Sequence, residues 1–480
     1  MIITGIIKVQ INMKKTIKSL VGSAMLILAA SVLLSSCSEK VEIPSTNEPE
    51  AAPASKTCSM TFKGEVVGFD RCDTKSNSEV NTSVWADGDM IYIIFYDGDV
   101  VIPGNAVYSD ADGWTVTYDG ELPTGTDLKC EVRYFVNADS STQYSVMLNA
   151  ETEVYETLSG SYDFDGTALT VIGAMTPKTG RIRFDGTAGE EIYLSGLTTF
   201  TTYSPASNTF FTTKAMVKRT VEDSGYTPYV YASFSDDSRK LSVIGTETAY
   251  TRTCSEDVLK VGESGFMTIP TDNSCENWRY GVVVTVNGVE FKMMPVAGHT
   301  DGFFLMGETE VTRAQYSAVV DGEATTTDPQ YPQASTTYGA FDSFITSLNK
   351  LTFHNFSLPS EGQWLYAAKG GSKSQSYTYC GSNNPNEVAW YAENSGGSVH
   401  PVKQLAPNEL GLYDMSGNVY EFIKTSFYSS SSGTQRFVWC GGCYTSSSSY
   451  VKNSYNNWSN LYLSETSTPT YGYRLILTCE

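Results

Sequence analysis

The sequence is short of histidine and of positive charge. Its 480 residues include three histidines, His299, His354 and His400, which lie far apart in the chain. This number argues against a zinc enzyme built on histidine ligands. Lys and Arg total 32 against 53 Asp and Glu, a net charge of -21, which argues against a nucleic-acid partner because phosphate binding needs clustered cations. Hydrophobic residues make up 41% and charged residues 18%, so the composition is nevertheless that of a globular protein.

Aromatic residues are plentiful, at 12% of the chain, with 31 Tyr against 21 Phe. An excess of Tyr suits β-sheets and adaptable contact surfaces better than helical bundles. At ~150 residues per domain, the length predicts about three domains.

The N-terminus has the pattern of a secretory signal. Lys14, Lys15 and Lys18 precede the apolar run 20–34, which is too short to span a bilayer comfortably because that needs ~20 residues. The run ends in Leu34-Ser35-Ser36-Cys37, which resembles the lipobox of bacterial lipoproteins. The resemblance implies a signal peptide over 1–36, with Cys37 acylated and anchored at the outer membrane or cell surface of a Gram-negative envelope. The alternative is an ordinary signal peptide with an incidental cysteine.

The signal is followed by a polar, proline-containing stretch at 37–56. Pro44, Pro49 and Pro53 lie among Glu, Ser, Asn and Ala, a composition that cannot bury a core and is typical of a disordered tether. Beyond Cys37, nine cysteines remain in irregular spacing, so disulfide connectivity cannot be deduced from the sequence.

The middle of the chain has the short, alternating runs of β-strands. Residues 90–96 and 114–118 are two such runs, each closed by an Asp-Gly turn, and further runs follow up to 281–286. Strands at this spacing without a long helical period predict two all-β sandwich domains, over 57–177 and 178–285.

Residues 57–285 also resemble the fimbrillin-like surface proteins of Gram-negative envelopes. The segment Trp85-Ala86-Asp87-Gly88-Asp89 is similar to their W-x-x-G-D pattern, and 180–184 and 259–266 are similar to elements of their second sandwich. The alternative is a generic pair of sandwiches that acts as a spacer. Asp87 and Asp89 are interpreted as turn formers rather than metal ligands.

A third domain, 286–480, contains helical signals. Phe341, Phe344, Ile345 and Leu348 are spaced as one face of an amphipathic helix. Ser360 and Gln363 form a capping-box pattern that opens a second helix, whose Trp364 is predicted to face the core.

The landmarks of this domain resemble the formylglycine-generating enzyme, or sulfatase-modifying factor, family. The most specific is the run 407–421, which includes Gly417-Asn418-Val419-Tyr420-Glu421. The other landmarks occur in the family's order at 289–293, 306–307, 310–316, 358–364, 388–391, 400–402, 441–442 and 472–475. The resemblance implies an α+β C-type-lectin-like fold. The predicted fold is therefore two fimbrillin-like β-sandwiches followed by this α+β domain.

The residues depart from the enzymes where the chemistry takes place. Enzymes of the family carry two copper-binding cysteines after a Gly-Gly-Ser segment, and the corresponding positions here are Ser446 and Val451. A hydroxyl and an isopropyl group cannot replace two thiolates as Cu(I) ligands. We therefore expect no enzyme activity and no copper. Cys440 and Cys443 lie nearby, interpreted as one buried and one exposed thiol or a local disulfide, with a relocated metal site as the alternative.

The resemblance further implies a structural Ca²⁺ site. Asp414 and Glu421 would supply side-chain oxygens, and Gly417 and Val419 would supply carbonyls, the hard ligands that Ca²⁺ prefers. The alternative is that the two carboxylates hydrogen-bond their own loop.

The stretch 444–473 has the composition of a binding surface. Of its 30 residues, eight are Ser, six Tyr, four Asn and four Thr, the residue types that antibody paratopes use. The stretch resembles the variable proteins of diversity-generating retroelements, which end in a C-type-lectin-like domain; the alternative is a loop that drifted polar after catalysis was lost. The candidate ligand-binding residues are Tyr444, Tyr450, Asn453, Tyr455, Asn456, Trp458 and Tyr462.

The sequence thus predicts a lipid-anchored adhesin or fimbrial-tip-like subunit that binds a host or bacterial surface glycan or protein, with other fimbrial subunits as further partners. Two alternatives stay open. One is an oxidase that activates sulfatases, and the other is a structural pilus subunit without a ligand of its own.

Overall fold

The computed structural model describes residues 55–63, 85–142, 145–270, 277–323, 326–334, 338–429, 434–454, 456–459 and 470–479. The predicted signal peptide, Cys37, nearly all of the predicted tether, Tyr455 and Tyr462 lie outside the described residues. For Asn456 and Trp458 the backbone alone is described. Within the described part of the chain, every helix is too short or too polar to cross a membrane.

The N-terminal part of the described chain consists of strands joined by tight turns. Its strands are β1 (Ser55–Lys63), β2 (Met90–Asp97), β3 (Val100–Ser109), β4 (Gly113–Asp119), β5 (Gly125–Val136), β6 (Ser140–Ser141), β7 (Val146–Met147), β8 (Glu153–Phe164), β9 (Ala168–Ile172) and β10 (Thr176–Pro177). The predicted strands 90–96 and 114–118 are confirmed as β2 and β4. Asp87 and Asp89 accept hydrogen bonds from the backbone N–H groups of Asp110 and Ala86, which confirms them as turn formers.

All of these strands except β6 and β7 form one sheet, which we call the N-terminal module. Its strand order is β10-β8-β5-β2-β3-β4-β1-β9. Strand β8 also pairs with β9, so the sheet closes on itself and its two layers are joined by hydrogen bonds. The register between β5 and β8 shifts at two places, and such bulges let a long strand bend from one layer to the other.

The next strands form two sheets that share one core, which we call the central module. They are β11 (Gly180–Asp185), β12 (Glu191–Ser195), β13 (Leu197–Ser204), β14 (Thr209–Thr213), β15 (Val217–Thr220), β16 (Val230–Phe234), β17 (Lys240–Ile244), β18 (Ala249–Thr253), β19 (Ser264–Thr268) and β20 (Arg279–Tyr280). One sheet has the order β19-β11-β16-β13-β7-β6, with β14 also on β13, and the other has the order β15-β12-β17-β18-β20. Ile182 and Val230 from the first sheet pack against Leu194 and Leu241 from the second.

Strands β6 and β7 precede the central module in sequence but belong to one of its sheets. Met147 and Val146 of β7 pair with Thr202 and Tyr203 of β13. The segment between β5 and β8 of the N-terminal module therefore contributes the hairpin β6-β7 to the central module.

The C-terminal domain contains the helices. Its strands are β21 (Val282–Val286), β22 (Val289–Val296), β23 (Phe304–Gly307), β24 (Asn355–Ser357), β25 (Ala389–Trp390), β26 (Ser416–Gly417), β27 (Tyr420–Ser429), β28 (Thr434–Cys440), β29 (Asn456–Ser459), β30 (Tyr471–Tyr473) and β31 (Ile476–Thr478), and its helices are α1 (Arg313–Val320), α2 (Tyr338–Thr352), α3 (Glu361–Ala368) and α4 (Pro385–Val388). The sheets have the orders β21-β22-β23-β31-β24, β25-β26 and β29-β28-β27-β30. Strand β21, which the sequence assigned to the second sandwich, pairs with β22 instead, because the turn at Asn287 and Gly288 folds the two strands into a hairpin.

Both predicted helices are confirmed. Helix α2 buries Phe341, Phe344 and Leu348 in the domain core. Helix α3 begins with the predicted capping box, in which the side chain of Ser360 accepts from Gln363 N and that of Gln363 accepts from Ser360 N.

Candidate functional site

The turn 414–421 is the framework around which the candidate site is built. Gly417 has φ of +81°, and a Cβ added there would lie 2.1 Å from the Trp390 carbonyl oxygen. Because any side chain would collide with the backbone of β25, only glycine fits this position. The N–H of Gly417 donates to Gly441 O and that of Tyr444 donates to Asn418 O, both at 2.8 Å, so the turn also holds the segment after β28.

A fully buried ion pair lies beneath this turn. Arg474 has no exposed surface, and its Nη2 is 2.6 Å from Glu421 Oε1. The same guanidinium donates to the carbonyls of Gly307 and Tyr413 at 2.8 and 2.7 Å. Trp364 Nε1 donates to Glu421 Oε2 at 2.6 Å, so both oxygens of this carboxylate are hydrogen-bonded. This network joins α3, β23, β27 and the segment between β30 and β31.

Two further buried carboxyl groups belong to the same region. Asp414 Oδ2 accepts from Lys403 N at 2.7 Å, and burial raises the pKa of Asp414 to about 6. Burial and the charge of Asp414 raise the pKa of Glu310 well above its usual value. Glu310 Oε1 accepts from Asn418 Nδ2 at 3.2 Å, whereas its Oε2 has no hydrogen-bond partner among the described residues. No role was assigned to Glu310 or Arg474 from the sequence, although both lie in the landmarks at 310–316 and 472–475.

The carboxylates do not fit a Ca²⁺ ion held by Glu421. Both carboxylate oxygens of Glu421 accept hydrogen bonds, one from Arg474 and the other from Trp364. The guanidinium of Arg474 thus supplies the positive charge that a bound Ca²⁺ would supply. Within the described ranges, no group of three or more His, Cys, Asp or Glu side chains is placed to hold a metal ion. Val419, the other residue of the predicted calcium site, is fully buried. The geometry agrees with the alternative interpretation, in which Asp414 and Glu421 hydrogen-bond their surroundings.

Ser446 and Val451, which the sequence resemblance assigned to the positions of the copper ligands, are part of the packed interior. Ser446 is buried, and its hydroxyl accepts from Cys443 N at 3.0 Å and lies 3.0 Å from the Tyr420 hydroxyl. Val451 is fully buried in an apolar cluster with Tyr379 and Val388. These two side chains therefore hold the loop in place.

Cys440 and Cys443 are both buried and both free thiols. The sequence interpretation, one buried and one exposed thiol or a local disulfide, is therefore wrong. Burial raises the pKa of Cys440, so this residue stays a protonated thiol near neutral pH. The thiolate is the form that binds metals and attacks substrates, which makes Cys440 a poor ligand and nucleophile.

The candidate ligand-binding residues are divided between interior and surface. Tyr450 is 47% exposed, as a contact residue requires. Tyr444 and Asn453 are buried, contrary to their assignment as contact residues. Asn453 Nδ2 donates to Tyr377 O at 2.6 Å, because the loop needs side-chain donors for carbonyls that have no strand partner. The backbone of Asn456 and Trp458 lies in β29, which pairs with Cys440 and Val438 of β28.

The comparisons with known proteins agree with these features of the C-terminal domain. Residues 280–479 match the sulfatase-modifying factor enzyme 1-like domain family, so the chain carries a domain of this type at its C-terminus. A protein described as chaperone protein LppX, from Paenibacillus barcinonensis, is 46% identical over 86 residues, which are 14% of this chain and 31% of that protein. The inactive C-alpha-formylglycine-generating enzyme 2 of Bos taurus is 36% identical over 80 residues, or 15% of this chain and 27% of the relative. The chain thus spans less than a third of either relative.

Two solved structures align with the chain at low similarity. Treponema denticola variable protein 1 aligns with 41% of this chain and 98% of its own, at 24% identity and a TM-score of 0.35. A fimbrial protein from Bacteroides ovatus aligns with 88% of this chain and 99% of its own, at 8% identity and a TM-score of 0.24.

Proposed function

We propose that this protein is a non-catalytic surface adhesin, in which two fimbrillin-like sandwiches present a C-type-lectin-like domain that binds a glycan or protein ligand. The observation that carries the proposal is the burial of Ser446 and Val451 in the segment 440–451. Ser446 and Val451, which the resemblance assigns to the positions of the two thiolates, are buried, and the close approach of the Trp390 carbonyl leaves room only for glycine at 417. A domain that keeps its framework without its redox groups retains the means to bind but not to oxidise.

The binding surface is proposed to be the exposed part of the stretch 444–473, with Tyr450 as its described anchor. Tyr and Ser or Asn side chains supply rigid contact area and adaptable hydrogen bonds. The Tyr-, Ser- and Asn-rich composition of 444–473 is also what we propose for a surface whose sequence is diversified. Assembly with other fimbrial subunits belongs to the same proposal. So does the division into three domains, with the start of the last moved from 286 to Val282 so that β21 stays with β22.

The anchor is proposed to be the acylated Cys37. The variant Cys37→Ser should lose its lipid and leave the membrane fraction, because acyl chains are needed for firm membrane binding. Fractionation of cell envelopes measures this, and a Ser variant that remains with the membrane would refute the anchor.

The strongest test of the binding face is the double variant Tyr455→Ala/Trp458→Ala. We expect ligand binding to fall by roughly 10²-fold or more, because aromatic anchors dominate interfaces, while the melting temperature changes little. Binding is measured on glycan and cell-surface protein arrays with the full chain, together with a thermal melt of each variant.

A matched control is Phe211→Ala on β14, since Phe211 is also an exposed aromatic residue but lies in the central module. It should leave both binding and melting unchanged. If the double variant melts early, those aromatics belong to the core and the binding face is wrongly placed. Uniform absence of binding by the unaltered protein would instead favour a structural subunit.

The second candidate function, a sulfatase-activating oxidase, is favoured by the family match over residues 280–479. A sulfatase-peptide oxidation assay with added copper separates the two functions. Turnover that disappears in Cys443→Ser would end the purely adhesive interpretation.

A further inference from the structure

A cavity in the C-terminal domain lies outside the stretch 444–473. It encloses about 500 Å³ between β22, the turn after β23, the start of α1 and the loop at Lys403. Of the described residues of 444–473, none lines it. Its volume lies within the range of small-molecule sites in proteins.

The polar centre of this cavity is a carboxylate held between two lysines. Lys292 Nζ is 2.8 Å from Glu308 Oε1, and Lys403 Nζ is 2.8 Å from Glu308 Oε2. The side chain of Glu308 is only 13% exposed, whereas both lysines reach solvent. Each ammonium group has three N–H donors and gives one to Glu308, so donors and acceptor lone pairs remain along the row.

Lys403 is held in place by the backbone around it. Its φ is +66°, a conformation that a non-glycine residue adopts only when its surroundings impose it. Its N–H donates to the buried Asp414, and its Nζ lies 5.0 Å from the centre of the Tyr413 ring. Strain of this kind is characteristic of sites in which a side chain must be presented in one position.

The charges of the lining select the class of ligand. Lys292 and Lys403 share the carboxylate of Glu308, because the carboxylate of Glu290 pairs with Lys240. An anion that bound both lysines would therefore have to displace Glu308 from two ion pairs. A sugar ring avoids this cost, because one hydroxyl accepts from an ammonium group while its neighbour donates to the carboxylate. Val289, which is partly exposed, adds an apolar surface for the C–H face of such a ring.

We propose that this cavity binds one neutral saccharide unit through the row Lys292–Glu308–Lys403. The site is separate from the proposed binding face and does not depend on it. Glu308 accepts from the ligand's hydroxyls, and the two lysines donate to them.

The test is ligand-observed NMR on the full chain with the methyl glycosides of mannose, galactose, glucose and N-acetylglucosamine. We expect at least one glycoside to bind, with an affinity that changes little between low and high salt because the ligand has no charge. The variants Lys292→Gln and Glu308→Gln should each weaken binding about tenfold or more, since hydrogen bonds to charged groups are lost.

The matched control is Lys350→Gln, because Lys350 is an exposed lysine at the end of α2 and outside the cavity. It should leave binding unchanged, as should Tyr455→Ala/Trp458→Ala. Thermal melts establish that each variant is folded, and Lys403→Gln provides a second variant if Glu308→Gln fails to fold. No binding of any neutral glycoside, binding that all variants retain, or binding only of sulfated or uronic sugars with a steep salt dependence would each overturn the proposal.

Discussion

Replacing Arg474 with methionine is expected to lower the free energy of unfolding of the C-terminal domain by about 3–5 kcal/mol. The variant keeps the apolar volume of the side chain but leaves Glu421 buried without its counter-charge, and removing one partner of a buried pair costs about this much. The carbonyls of Gly307 and Tyr413 lose their donors as well. Urea unfolding followed by tryptophan fluorescence measures the loss.

The matched control is Arg313→Met, which breaks the exposed pair between Arg313 Nη1 and Asp328 Oδ2 at 3.3 Å. Exposed pairs contribute at most about 1 kcal/mol, so this variant should unfold nearly as the unaltered protein does. Arg474→Met/Glu421→Gln should be more stable than the sum of its single variants predicts, because the stranded charge is gone. An effect of Arg474→Met no larger than that of the control would show that the buried pair does not support the domain.

Trp364→Ala is expected to have a comparable effect, with a loss of about 3–5 kcal/mol. The indole is fully buried against Ala367, Met415 and Cys440, so its removal leaves a cavity, and Glu421 loses the donor Nε1. Differential scanning calorimetry of the full chain should show the transition of the C-terminal domain moving to lower temperature.

Trp364→Phe distinguishes the two causes, because it retains most of the packing and removes only the Nε1 donor. Its loss should be smaller, about 1–3 kcal/mol for an unsatisfied buried acceptor. If Trp364→Ala cost as little as the exposed substitution Phe211→Ala, the assignment of this residue to the core would be wrong.

Local features of the fold could be predicted from the sequence because their causes are local. The strand at 90–96 follows from a continuous run of apolar and aromatic residues closed by an Asp-Gly turn, and the start of α3 follows from the capping pair Ser360 and Gln363. The C-terminal domain could be predicted from the motif 407–421, in which Gly417 is required by the close approach of a neighbouring carbonyl.

Features that depend on distant pairing could not be predicted in this way. The pairing of β7 with β13 joins residues more than 50 positions apart, and no local pattern specifies it. Composition gave the wrong exposure for Tyr444 and Asn453. Asn453 is buried because its side chain donates to a backbone carbonyl, and Tyr444 is buried where its backbone N–H pairs with Asn418 O. The pairing of Glu421 with Arg474 is likewise fixed by the fold, since the sequence shows only two charges 53 positions apart.

The hairpin that the N-terminal module contributes to the central module has a mechanical consequence. A pull that separates the two modules must break the hydrogen bonds between β7 and β13 and open the apolar cluster of Tyr92, Phe135 and Tyr203 in the same event. Two modules joined only by a linker would swing freely, whereas a shared sheet and a shared core make them bend and break together. The two β modules therefore resist bending at the segment that joins them, because a hinge there would have to open this shared sheet and core.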